Sequence, residues 1–326
     1  MRFSVSTFFV LLIGCNKSNL DNNSNQINSS FKDNGISLFA DDNPNNDVMM
    51  QAFWWDSFND LKISNYASYY KYMNNLVVEL SNANIDVLWF PPVSEGEGMG
   101  YHPRKLFEFN SSHGTKSQLE DLLSNLKSRE MHAMADLVFN HRVGTDTWTD
   151  FTEPSWSCES ICIDDEGLTN PDAFGTKPCG EKDEGLSWGG ARDLNHQSQE
   201  VQNGLKSYLI LLKNLGFDSW RYDYVKGFPA KYVGEYNASS SHYFSVGEFW
   251  DGDLNKIKKW IDQTGTTSSG KTISKAAAFD FPLKYKLHDA FVDKNYSILN
   301  KNYSLASIKG YGTNQLHFLT ITTRDV

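Results

Sequence analysis

Two short segments carry the side chains best suited to chemistry: GFDSWRYDYVKGF (216–228) and SVGEFWD (245–251). Each reads as a buried strand ending in a carboxylate, Asp223 in one and Glu248 in the other. A charge among aromatics at a strand end is costly unless it is paired or used. Glycoside cleavage uses such a pair, one carboxyl ionised and one protonated. In retaining enzymes the two lie about 5–5.5 Å apart, one as nucleophile and the other as acid/base. Arg221 stands two residues before Asp223, so both side chains share one strand face, and a fixed cation there favours an ionised Asp223. Glu248 lies among Val246, Phe249 and Trp250, where desolvation raises its pKa as a general acid requires. The bland alternative for either residue is a structural ion pair.

The elements that must position them alternate from residue 47 onward. NDVMMQAFWW, IDVLWFPP, MHAMADLVFNH, FDSWRYD, YFSVGEFW and AAAFDFPL read as strands. YASYYKYMNNLVVELSNA, SQLEDLLSNLKSRE, QEVQNGLKSYLILLKNLG and DLNKIKKWIDQ have helical spacing, the third ended by Gly216. Strands alternating with helices imply an α/β fold with a parallel sheet. The apolar strands fit a (β/α)8 TIM barrel, incomplete, with strands one to six present. The barrel domain is expected over 47–141 and 197–310. Residues 142–196, rich in Gly, Asp, Ser, Thr and Trp, have no clear period and form an irregular insertion after the third strand, on the face where barrel sites form.

With 326 residues and a net charge of −10, the chain has ample core and no basic patch for nucleic acid. Residues 1–15, MRFSVSTFFVLLIGC, resemble a bacterial lipoprotein signal in which Cys15 receives lipid and becomes the mature N-terminus. The alternative is an ordinary signal peptide and secretion. Residues 16–46, rich in Asn, Ser and Asp, read as a tether. The protein is therefore expected to be exported, touching the membrane only through a lipid anchor, and no obligate protein partner is implied. Cys158, Cys162 and Cys179 allow one disulfide and a spare thiol, with the pairing open.

DLVFNHR, GFDSWRYDYVKGF and VGEFWD resemble, in order, the first three sequence blocks of the α-amylase family, glycoside hydrolase family 13. GYHPRKLFEF and MMQAFWWD resemble the segments at the second and first barrel strands, and the wording is most similar to the plant and archaeal branch. The resemblance implies Asp223 as nucleophile, Glu248 as acid/base and Arg221 as the arginine beside the nucleophile. It implies His141 as a hydrogen-bond donor to the sugar at the cleavage point, Tyr101 as a stacking residue, and Lys226 and Trp250 on the aglycone side. It also implies a structural Ca2+ held by Asn140, Asp193 and the carbonyl of Gly227, hard oxygen ligands that suit this ion. The function implied is endo-hydrolysis of α-1,4 bonds in starch-type glucans with retention. The rivals are a transglycosylase or maltogenic sibling, and a surface lipoprotein that binds glycan without cleaving it.

One part of the pattern fails. The family's fourth block, which carries a third acid, is missing, and the chain ends NQLHFLTITTRDV. Permitted codons for Gln315–Val326, read two bases out of register, spell Ala-Thr-Phe-Leu-Asp-Asn-His-Asp-Thr-Arg-Cys, which matches that block. Residues 311–326 are therefore expected to be an aberrant tail after a frameshift between Phe281 and Gln315. Resequencing the gene there tests this. The chain as written is expected to fold poorly or to need a partner, and even when folded to hydrolyse very slowly.

Overall fold

A computed structural model of the protein describes residues 47–63, 66–147, 149–165, 176–300 and 315–316. The leader with Cys15, the tether 16–46 and all of the tail 311–326 except 315–316 lie outside them.

One parallel sheet organises the chain: β1 (Met49–Gln51), β2 (Val87–Trp89), β3 (His132–Leu137), β4 (Ser219–Tyr222), β5 (Phe244–Gly247), β6 (Ala277–Phe279) and β7 (Gln315–Leu316). Their order in the sheet is their order in the chain. This is an incomplete (β/α)8 barrel. Six strands were expected; Gln315–Leu316, within the stretch expected to be aberrant, pairs in parallel with Ala278–Phe279 and adds a seventh.

The helices are α1 (Ser57–Ile63), α2 (Tyr69–Asn82), α3 (Lys116–Lys127), α4 (Gln199–Leu215), α5 (Ala230–Ser239), α6 (Leu254–Thr264) and α7 (Phe281–Val292). Their boundaries have local causes. Thr115 and Gln118 cap α3 reciprocally, and α4 stops at Gly216, whose φ of 124° suits glycine. AAAFDFPL does not run on as a strand. Asp280 accepts a hydrogen bond from Leu283 N, and Pro282 sits in the first turn of α7, where its missing N–H is harmless. Helix α5 buries Ala230, Tyr232, Val233, Gly234, Tyr236 and Asn237 and turns Lys231, Glu235, Ala238 and Ser239 to its more open face.

Alternation along β4 explains how the core holds a charged site. Trp220 and Tyr222 point outward to α5, where Trp220 Nε1 donates to Ser240 Oγ and Tyr222 OH to Asn237 Oδ1. Arg221 and Asp223, on the other face, point into the barrel.

The insertion hangs from an antiparallel pair in which His141 faces Asp193 and Arg142 faces Arg192. Arg142 is buried with no carboxylate partner among the described residues. It donates to the carbonyls of Pro154, Arg104 and Thr152 and lies between the rings of Phe151 and Trp156, 4.5 and 4.6 Å from their centroids. The open cysteine question resolves as Cys158–Cys179, with Cys162 a buried thiol. No helix among the described residues is long and apolar enough to cross a membrane.

Candidate active site

Parallel register brings the catalytic candidates together. Asp136 on β3 faces Arg221 on β4, Arg221 faces Val246 on β5, and Tyr222 faces Gly247. One step further, Asp223 and Glu248 stand side by side at the strand ends. Asp223 N still donates to Leu137 O and Glu248 N to Tyr222 O, so both backbones are held at the rim. The next residue, Tyr224, is forced to φ 43°, and its N–H donates to Glu248 Oε2 at 3.2 Å. A non-glycine residue held in this region is strained, and such strain clusters at functional sites.

Arg221 is the hub. Its Nη1 donates to Asp136 Oδ1 at 2.7 Å and to Asp223 Oδ1 at 2.6 Å, and its Nη2 lies 2.9 Å from Glu248 Oε2. Burial opposes its charge, but the carboxylates of Asp136, Glu248 and Asp223 outweigh burial and hold its pKa well above the ordinary arginine value. One cation cannot neutralise three carboxylates, and burial pushes all three upward. Asp223 is raised by burial and by Asp136, against Arg221. Glu248 is raised to about 6 by burial, with Asp223 adding and Arg221 opposing. Asp223 and Glu248 also share a hydrogen bond that lowers the first and raises the second, so the proton belongs on Glu248. Arg221 holds both groups from its two terminal nitrogens.

Asp136 is the member that motif reading passed over, although it lies inside DLVFNH. It is fully buried and accepts from Trp89 Nε1 at 3.0 Å and Tyr101 OH at 2.9 Å besides Arg221. The available signal was a lone carboxylate in the apolar run MHAMADLVF, on a strand neighbouring Arg221.

The other candidates are placed as follows. Tyr101 hangs on Asp136 by its hydroxyl, and its ring stacks on Trp55 at 5.8 Å. His141 is buried, with Nε2 2.9 Å from Tyr101 O and Nδ1 3.2 Å from Asn140 Nδ2. The carbonyl requires a proton on Nε2, so Nδ1 accepts from the amide. Burial lowers the His141 pKa to about 4 and keeps the ring neutral. Lys226 pairs with Asp251 at 2.9 Å. Trp250 is exposed and donates through Nε1 to Tyr285 OH. The site thus gathers Asp136, Arg221, Asp223, Glu248 and Tyr101, while Lys226 and Trp250 sit in the loops beyond their strands.

Asn140, Asp193 and Gly227 also converge. Asn140 Nδ2 donates to His141 Nδ1 and to Asp193 Oδ1 at 3.3 Å, which turns Oδ1 toward Gly227. A Cβ on Gly227 would lie 1.6 Å from that oxygen, so only glycine fits. Amide, carboxylate and backbone at this seam of β3, insertion and β4 loop are hard oxygen donors that fit Ca2+. Among the described residues no three His, Cys, Asp or Glu side chains form a cage, so the set relies on amide and carbonyl oxygens.

Residues 76–160 match the model of the alpha amylase catalytic domain. The chain is 30% identical over 260 residues to Probable alpha-amylase 2 of Arabidopsis thaliana, covering 75% of this chain and 58% of that one. It is 24% identical over 309 residues to the alpha-amylase of Bacillus licheniformis, covering 75% and 57%. The chain thus spans less than two thirds of these relatives. Two solved structures share the fold. An alpha-amylase from Malbranchea cinnamomea has a TM-score of 0.51 at 19% identity, over 71% of this chain and 51% of that one. The cyclic alpha-maltosyl-(1→6)-maltose hydrolase from Arthrobacter globiformis has a TM-score of 0.57 at 15% identity, over 77% and 56%. The matched catalytic domain, the curated relatives and a barrel carrying the motif residues on adjacent strands agree, and the chain is similar to the α-amylase family.

Proposed function

We propose that this site hydrolyses internal α-1,4 bonds of starch-type glucans with retention. The observation that carries the reading is one buried guanidinium holding Asp223 and Glu248 together while their environment leaves the proton on Glu248. Asp223 attacks the anomeric carbon, the glycosidic C–O bond breaks, and the Glu248 proton goes to the departing oxygen. Glu248, now a carboxylate, takes a proton from water. The water oxygen bonds to the anomeric carbon and the Asp223 ester breaks. Arg221 and Asp136 hold the pair in place, and Tyr101 and His141 line the sugar position. A third acid, if encoded beyond Leu316, falls outside the described residues.

The test is reducing-sugar release from soluble starch by the full chain beside Asp223→Asn. Release by the first and not the second supports hydrolysis. Starch binding without release from either overturns it in favour of a glycan-binding protein, and a shift toward longer products identifies a transglycosylase.

Ca2+ belongs to the same proposal. Asn140, Asp193 and Gly227 would hold it, and it would lock the insertion to the barrel. Adding Ca2+ is expected to raise the melting temperature progressively with its concentration, through a stabilisation of about 2.7 kcal/mol at a hundredfold excess over Kd. Asp193→Asn should abolish the rise. Identical melting in Ca2+ and in chelator would remove the ion from the account.

A further inference from the structure

Beneath Arg221 and its carboxylates lies an indole that the apolar run of β2 hides. Trp89 is the last residue of β2 and is 4% exposed. In the sheet it faces Met134, two residues before Asp136, so its side chain and the carboxylate share one face. Trp89 Nε1 donates to Asp136 Oδ2 at 3.0 Å, and Arg221 Cζ lies 4.9 Å from the centre of the indole ring. One side chain thus touches both members of the ion pair that anchors the site, the carboxylate with its N–H edge and the cation with its π face.

Both contacts meet a need. Arg221 spends Nη1 on Asp136 and Asp223 and Nη2 on Glu248, while its buried Nε has no hydrogen-bond acceptor among the described residues. The electron-rich face of an indole is a favourable neighbour for a cation so placed. Burial raises the Asp136 pKa, and Arg221, Tyr101 and Trp89 oppose the rise. Tyr101 and Trp89 donate to the same oxygen, Oδ2, which leaves Oδ1 to Arg221. The indole is itself clamped. Phe53, just beyond β1, packs edge-on at 5.4 Å, Phe279 of β6 lies 5.7 Å away, and Ala52 N donates to Trp89 O. Packing alone asks for volume; it asks for neither an N–H on Asp136 nor a π face beneath Arg221.

We infer that Trp89 is a positioning residue for the hydrolytic site: it fixes Asp136 through Nε1 and Arg221 through its ring, and so keeps the guanidinium aimed at Asp223 and Glu248. The inference rests on the hydrolytic reading above and deepens it. Without the indole N–H, Asp136 has one donor fewer and takes up a proton more readily. A neutral Asp136 stops competing for Arg221, whose charge then falls on Asp223 and Glu248 and lowers the pKa of the acid.

The experiment measures kcat, KM and their pH profiles on maltoheptaose for the full chain and for Trp89→Phe, which keeps a flat ring and loses the N–H, with melting temperatures recorded. The variant's kcat is expected to fall about tenfold to a hundredfold, the scale of misplaced reacting groups. Its KM is expected to stay near the parent's, and the alkaline limb to move to lower pH. A kcat and a limb equal to the parent's overturn the assignment and leave the hydrolytic reading intact. A fall in kcat with the limb unmoved also overturns it, since loosened packing would do as much, and so does a change carried by KM alone. Should Trp89→Phe unfold, replacement of Trp89 by 3-benzothienylalanine, which has the shape of the indole and no N–H, decides by the same readings. If the parent releases no sugar, the hydrolytic reading falls by itself. The melting temperatures of Trp89→Phe, Asp136→Asn and the double variant then decide whether Trp89 holds Asp136: losses that fail to add support the hold, and losses that add overturn it.

Discussion

Arg221→Met will cost the protein about 3–5 kcal/mol of stability at neutral pH, the usual consequence of removing one partner from a buried charge cluster. The guanidinium is 4% exposed and touches Asp136, Asp223 and Glu248, so its removal leaves three carboxyls with no cation among them. The pH dependence identifies the cause. All three pKa values are already raised by burial, and without Arg221 they rise further. A folded-state pKa above the unfolded value contributes stability at low pH that is lost as pH rises. The loss is therefore larger at pH 8 than at pH 5, where the carboxyls take up protons. Denaturant melts at both pH values check this. A loss below 1 kcal/mol, or one equal at both pH values, would contradict a hub role.

Glu248→Gln will lower reducing-sugar release from maltoheptaose by about 10²–10⁴-fold, the range expected for losing a general acid/base. In the parent, the acid works when protonated, so activity falls as pH rises through about 6, the Glu248 pKa. The residual activity of the variant should lack that alkaline limb. Stability moves the other way. The Glu248 pKa lies above its ordinary value of 4.5, so its contribution is full below that value and lost as pH rises through about 6. A neutral amide escapes this, and the variant gains up to about 2 kcal/mol at pH 8 and nothing at pH 4. Unaltered turnover, or an alkaline limb that persists, would remove Glu248 from the acid's role.

The strands were legible because each is an apolar run with a sharp boundary. Residues 216–223 are the clearest case: glycine ends α4, and alternation along β4 sends Trp220 and Tyr222 one way and Arg221 and Asp223 the other. The site was legible where a motif and a strand end coincided, as at Asp223 and Glu248. Asp136 was not, because its importance comes from lying beside Arg221 on a neighbouring strand, a relation that only register reveals. Helix α5 escaped because its buried face includes Gly234 and Asn237 and its open face Ala238, which blurs the amphipathic signature, and α7 because only Asp280 separates its opening Phe-Pro from the strand.

The antiparallel clasp of His141–Arg142 with Arg192–Asp193 fixes both ends of the insertion within one short ladder. Whatever is strung between those ends leaves and rejoins the barrel at the same two points. Closing a longer loop adds little entropy once its ends are fastened, each doubling costing only about 0.6 kcal/mol. The clasp therefore works as a socket. The segment beyond it can change in length at little entropic cost to the clasp, while Arg221 and its carboxylates stay where they are.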